Sequence, residues 1–273
     1  MYNIDTMNSG KTRPIGVFDS GVGGLTVVRG IRENLPGEDI IYFGDTARVP
    51  YGNKSSATIK RFSREIINFL LEKNVKLIVA ACNTASSLAI PGFQKQYIVP
   101  VIGVIRSGAE EAAAATKNKR IGVIGTTSTI ASGAYEKELR RTDPSCKLFS
   151  KSCPLFVPLV ENGMFNDKVT FEMASRYLEY FKNKNIDTLI LGCTHYPLLK
   201  TTIQKIMKNV TLIDSGYSVA RTVAELLAVL ELRSIKPAGR SYLKCYVSDD
   251  AKGFDKIAHV FLKEKITAKK AVL

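Results

Sequence analysis

The sequence has no tryptophan, only two histidines and no Cys-x-x-Cys pair among its five cysteines. Two imidazoles and scattered thiols cannot assemble the usual four-ligand zinc sites, so no metal is expected. No apolar run reaches the ~20 residues of a membrane helix, because Lys, Arg, Asn or Gly interrupts each one early, so no membrane association is expected. Residues 1–13 are polar and lack the apolar centre of a secretory signal; they read as a frayed leader. An odd number of cysteines at irregular spacing, in a chain too long to need staples, points to free thiols in a reducing compartment. Nucleotide-binding fingerprints are missing as well. In Gly21-Val22-Gly23-Gly24-Leu25-Thr26 a threonine stands where the third glycine belongs, and no Gly-Lys-Thr/Ser follows.

Acidic residues are also in short supply: 25 Asp plus Glu against 39 Lys plus Arg, a formal net charge of +14. Such a surplus can attract nucleic acid. Here the cations are scattered, with mild clusters at 117–120 and 263–270 and no interleaved aromatics, so a solvated basic surface is expected and nucleic-acid binding is not.

What is present is an alternation of strands and helices over 273 residues, enough for one large domain or two modest ones. Short β-branched runs predict strands at 14–18, 39–43, 76–81, 99–105, 120–124, 188–191, 210–213 and 242–247. Helical periodicity lies between them. Ile59, Phe62, Ile66, Phe69 and Leu70 line one face of 55–73, and Val219, Val223, Leu226, Leu227 and Leu230 do the same after Asp214. The pattern predicts an α/β fold with largely parallel sheets, whose sites gather at the carboxyl ends of strands.

The chain also echoes itself. Asn74-Val75-Lys76-Leu77-Ile78-Val79-Ala80-Ala81-Cys82-Asn83-Thr84 resembles Asn185-Ile186-Asp187-Thr188-Leu189-Ile190-Leu191-Gly192-Cys193-Thr194-His195. Upstream, Ile15-Gly16-Val17-Phe18-Asp19-Ser20 echoes Ile121-Gly122-Val123-Ile124-Gly125-Thr126, and downstream Gly103 and Asp214 each lie 21 residues beyond their cysteine. Two related halves are expected, one of residues 1–106 plus 216–273 and one of 107–215. If they face one another, Cys82 and Cys193 flank one cleft. Each cysteine ends a strand and precedes an expected helix, a placement that lowers a thiol pKa. Two thiols on opposite sides of a substrate suit inversion of a stereocentre: one removes a proton and the other supplies one to the opposite face.

Neighbouring turns offer a polar grip. The Gly-rich turn after Asp19 can bind carboxylates through backbone N–H groups, and Asp19 can accept from an ammonium. Pro50-Tyr51-Gly52-Asn53 is a turn by composition, and Thr126 and Thr129 offer hydroxyls.

In combination these motifs resemble the cofactor-independent glutamate racemases, over nearly the whole chain after Arg13. The resemblance rests on Phe18-Asp19-Ser20-Gly21-Val22-Gly23-Gly24-Leu25-Thr26, on Tyr42-Phe43-Gly44-Asp45-Thr46-Ala47-Arg48-Val49-Pro50-Tyr51-Gly52, on Ala81-Cys82-Asn83-Thr84-Ala85-Ser86 and on Leu191-Gly192-Cys193-Thr194-His195-Tyr196-Pro197-Leu198. It implies two flavodoxin-like α/β domains related by a pseudo-two-fold axis, with L- or D-glutamate in the cleft. It also implies no pyridoxal phosphate or other cofactor, and a cytoplasmic enzyme, expected as a homodimer, supplying D-glutamate for bacterial peptidoglycan. Carried over by position, Cys82 and Cys193 match the catalytic bases, with Asp19, His195 and Glu161 assisting. Asp19, Ser20, Tyr51, Gly52, Asn83, Thr84, Thr126, Thr194 and His195 match substrate contacts. An aspartate racemase is the nearest alternative, for which Cys-Thr-Glu would be expected in place of Cys193-Thr194-His195; a nucleic-acid-binding or topoisomerase-modulating protein is the more distant one.

Overall fold

The computed structural model describes residues 10–273. Ten strands occur among them: β1 (Ile15–Asp19), β2 (Ile40–Gly44), β3 (Leu77–Ala80), β4 (Val101–Gly103), β5 (Arg120–Gly125), β6 (Lys147–Ser152), β7 (Thr188–Gly192), β8 (Thr211–Asp214), β9 (Leu243–Val247) and β10 (Ala268–Lys270). They form two sheets, ordered β10-β9-β2-β1-β3-β4 and β6-β5-β7-β8. Every pairing between described strands is parallel. The central strands β1, β2, β3 and β7 are buried at every position, as expected for a parallel sheet covered on both faces.

The two sheets share an order. The run β2-β1-β3-β4 in one corresponds to β6-β5-β7-β8 in the other, so the echo is one winding used twice. Asn74 and Asn185 carry the same backbone signature, with φ of 57° and 50°. Asparagine tolerates this left-handed conformation better than most residues, and each one turns the chain from a helix into the strand that ends at a key cysteine.

Two strands were not expected, and one is shorter than expected. β6 has the polar sequence Lys-Leu-Phe-Ser-Lys-Ser and lies at a sheet edge with much of it exposed, so it has no apolar run to announce it. β10, at the other sheet's edge, is only three residues long. The apolar stretch 99–105 divides: β4 ends at Gly103 and a helix starts at Val104.

The expected helices form at Ser56–Glu72, where the Ser55 side chain caps the Thr58 N–H, and at Ser215–Val229. The helices after β4 and β8 stitch the halves together. Val104–Ala115 follows a strand of the larger sheet, yet its Ile105, Ala109 and Ala112 pack with Ile121, Val123, Ile190 and Ile213 of the smaller one. Ser215–Val229 does the reverse, packing Val219, Ala220 and Val223 with Val27, Val28 and Ile31 of the helix Leu25–Asn34. The approach is close: a Cβ at Gly30 would lie 3.4 Å from the Gly216 carbonyl oxygen.

The frayed leader needs correction where it is described. Arg13 donates to the carbonyls of Asn74 (2.9 Å) and Val75 (2.6 Å), and buried Lys76 donates to that of Lys11 (3.0 Å), so 10–13 are docked beneath the larger sheet. The rest of the expected leader lies outside the described residues. No helix among the described residues is long and apolar enough to cross a membrane.

Candidate active site

The carboxyl ends of β1 and β3 face those of β5 and β7 across the seam. In the larger sheet Phe18 pairs with Ala80, and two residues further on comes Cys82. In the smaller sheet Gly125 pairs with Gly192, and Cys193 follows at once. Both thiols open onto one cavity of about 370 Å³. Its wall also includes Ser20, Tyr51, Gly52, Asn83, Thr84, Thr126, Glu161, Thr194 and His195, so eleven sequence-predicted residues converge there.

Asp19 is the exception. It is fully buried and does not line the cavity; its carboxylate accepts from the Gly21 N–H (3.1 Å) and from the Thr194 hydroxyl (3.4 Å), across the seam. It stands behind Ser20, where the turn folds over the carboxylate. Burial raises its pKa, opposed in part by the charge of His195.

The two thiols have different neighbours. Cys82 caps the short helix Asn83–Leu88, yet its pKa is not lowered as that placement suggests. Burial and the negative charge of Asp19 push it up to about 12, against the pull of the Ala85 N–H. Desolvation outweighs a single helix turn. Beyond Cys193 there is only a 3-10 turn, Tyr196–Leu199, ahead of the helix Lys200–Ile206. Its polar neighbour is His195 instead, with Nδ1 3.8 Å from the sulfur and Nε2 3.0 Å from Glu161 Oε1. Burial alone would lower the His195 pKa. Its hydrogen bonds to Cys193 and Glu161, with their charges, outweigh burial and raise it to about 10. The imidazole edge also meets Phe261, ring centroids 5.6 Å apart.

Backbone shape makes room for this arrangement. A Cβ on Gly23 would stand 2.4 Å from Thr194 Oγ1 and 2.6 Å from His195 Nδ1, so only glycine lets the first turn approach the second thiol's turn. On the opposite wall, Thr84, Thr126 and Thr129 hydroxyls lie 3.0–3.2 Å from one another, and Ser128 donates to the Gly52 carbonyl (2.7 Å). Behind Tyr51, the buried Asp45 carboxylate accepts from the Tyr51 hydroxyl, from Arg48 and from Ser248.

Sequence reading missed the apolar part of the wall, Val49, Pro154 and Val157, and the hydroxyl of Thr127. Nothing in a lone proline or valine signals a cavity. The remaining cysteines, Cys146, Cys153 and Cys245, are buried free thiols. Among the described residues no group of three or more His, Cys, Asp and Glu could hold a metal ion.

A family model described as Asp/Glu/Hydantoin racemase matches residues 15–223. The chain is 47% identical over 256 residues to the glutamate racemase of Thermoanaerobacter pseudethanolicus, covering 93% of this chain and 95% of that one. Its fold is similar to the crystal structure of glutamate racemase from Francisella tularensis in complex with D-glutamate, with a TM-score of 0.89 and 40% identity over 96% of this chain and 98% of that one. The aspartate racemase of Picrophilus torridus is more distant, with a TM-score of 0.58 and 19% identity over 79% and 94%, a likeness of fold alone.

Proposed function

The chain belongs to the Asp/Glu/Hydantoin racemase family, and from that premise we propose that it interconverts L- and D-glutamate by a two-thiol, two-base mechanism without an organic cofactor. One observation carries the reading: two cysteines, at equivalent strand ends of two like-wound sheets, line one cavity.

The chemistry follows from the geometry. One cysteine, as thiolate, takes the α-proton from its face of glutamate, leaving a planar carbanion. The other, as thiol, gives a proton to the opposite face. Thiolate and thiol have then exchanged sides, and the reverse reaction uses the same two groups in reversed roles. Charge developing on the α-carboxylate must be stabilised, and Asn83, Thr84 and Thr194 stand in the cavity wall beside the thiols to do so. No Lys or Arg lines the cavity, so carboxylates are held by hydroxyls, amides and backbone N–H groups, with His195 the one cationic side chain at hand. Ser20, Tyr51, Gly52 and Thr126 complete the substrate contacts. His195, held by Glu161, assists Cys193; Asp19 assists on the Cys82 side from behind Ser20.

The same reading divides the chain into 1–106 plus 216–273 and 107–215. It makes the protein a cytoplasmic homodimer that provides D-glutamate for bacterial peptidoglycan. Identity favours glutamate over aspartate, at 47% against 19%. The test is chiral chromatography after incubating the pure protein with L-glutamate and, separately, L-aspartate. D-glutamate should accumulate to near equality with the L form. Faster turnover of aspartate, or no D-glutamate, would overturn the proposal.

A further inference from the structure

A chain of buried hydrogen bonds crosses the seam twice behind the cavity. It starts at Tyr135, in the helix Ala134–Thr142, whose side chain is almost wholly buried. Its hydroxyl donates to Asn83 Oδ1 (2.7 Å), in the other half. Asn83 Nδ2 donates to Ser215 Oγ (3.5 Å), and Ser215 donates to the Leu191 carbonyl (3.4 Å), two residues before Cys193.

The polarity of this chain is set at its end. A backbone carbonyl can only accept, so the Ser215 proton points to Leu191 and a lone pair faces Asn83. The amide must then present its NH₂ end to Ser215 and its oxygen to Tyr135. In the flipped amide, Ser215 would turn its proton away from Leu191, and the buried Tyr135 O–H would lose the amide acceptor and be left with Ser215 alone, a costly exchange. The second N–H of Asn83 has no protein acceptor among the described hydrogen bonds, and Asn83 lines the cavity.

We infer that Tyr135 is a positioning residue for the reaction: it locks the Asn83 amide so that this side chain meets the substrate as a hydrogen-bond donor and never as an acceptor. A carboxylate gaining enolate character needs donors. An amide free to flip would offer it a carbonyl oxygen in part of the population, repelling the charge it should stabilise. Tyr135 belongs to the half that carries Cys193, and Asn83 follows Cys82. The lock therefore forms only when the two halves are together, and it couples closure of the cavity to the orientation of the donor.

This inference rests on the glutamate-racemising reading and is tested separately from it. Wild-type protein is first shown to racemise glutamate; failure there removes the reading itself. In Tyr135→Phe, which deletes only the hydroxyl, kcat should fall roughly tenfold while KM changes less than about twofold, because the donor acts chiefly on the transition state. In an Asn83→Ala background, itself slowed by roughly a hundredfold, adding Tyr135→Phe should change kcat by less than about twofold. Tyr135→Phe with unchanged kcat would overturn the proposal. An equal fractional loss with and without the Asn83 amide would do the same, since that marks general loosening. Should Asn83→Ala fail to fold, the kcat-against-KM split decides alone: a loss carried by KM refutes the lock.

Discussion

The Cys82 and Cys193 turns are made by the same winding and stand at matching strand ends, yet they are electrostatic opposites. Cys82 has the buried Asp19 carboxylate beside it and is pushed up to about 12, so it rests as a thiol. Cys193 has an imidazole at 3.8 Å whose own pKa is raised to about 10 by that cysteine and by Glu161. A duplicated scaffold supplies the placement of two acid–base groups. The unequal side chains around them, a buried carboxylate beside one and an imidazole beside the other, give the two groups different surroundings for a transfer across a substrate. One turn also intrudes on the other, since Gly23 of the first half touches Thr194 and His195 of the second.

Removing either thiol is the most severe way to break the pair. Cys82→Ala and Cys193→Ala should each lower racemisation in both directions by about 100-fold or more, because each removes the base of one direction and the acid of the other. In deuterated water, the wild-type product should carry solvent deuterium from the first turnover while unreacted substrate carries little. A folded single variant near the wild-type rate, or early deuterium in the remaining substrate, would show that the two thiols are not partners.

A smaller loss is expected where the two turns touch. Gly23→Ala places a methyl into Thr194 and His195, and backbone or ring must move to admit it. Activity should drop roughly tenfold to a hundredfold, since ångström-scale misplacement of a reacting group is costly. Thermal unfolding measured alongside should shift by only a few degrees.

The mildest change sharpens the contrast in charge. Glu161→Gln leaves the size of the side chain but removes one of the two charges that hold the His195 proton. We expect a few-fold loss of kcat/KM near neutral pH, and an alkaline limb that moves below the wild-type position near pH 10. Stability should follow the same sign. Because the folded-state pKa lies above the ordinary value of 6.5, the stabilisation is complete below that value and is lost as pH rises through about 10; in the variant it is smaller and lost earlier. Identical pH profiles for the two proteins would show that Glu161 does not govern the imidazole.

Much of this was legible beforehand. Eight of the ten described strands stood out through short β-branched or apolar runs, clearest in the central strands, which are buried on both faces. β6 and β10 escaped because these two edge strands are written largely in Lys and Ser, or in Ala and Lys, which a half-solvated edge tolerates, whereas the edge strands β4 and β8 keep an apolar run. The thiols were findable through the echo, which two asparagines with left-handed backbones help to explain. Tyr135, Ser215 and the apolar wall were not findable, since their partners lie far off in the chain and nothing local marks them.

By itself, then, the sequence determined the strand–helix alternation, the repetition and the identity of the cysteines, because strand burial, turn conformation and thiol chemistry are properties of short segments. Tertiary structure alone decided that Asp19 stands behind the cavity wall, that burial and Asp19 push the Cys82 thiol up, that Cys193 and Glu161 raise the His195 pKa and that the Asn83 amide oxygen is taken by Tyr135. Each of these depends on desolvation and on a partner in the other half, and both exist only once the two sheets have closed on one another.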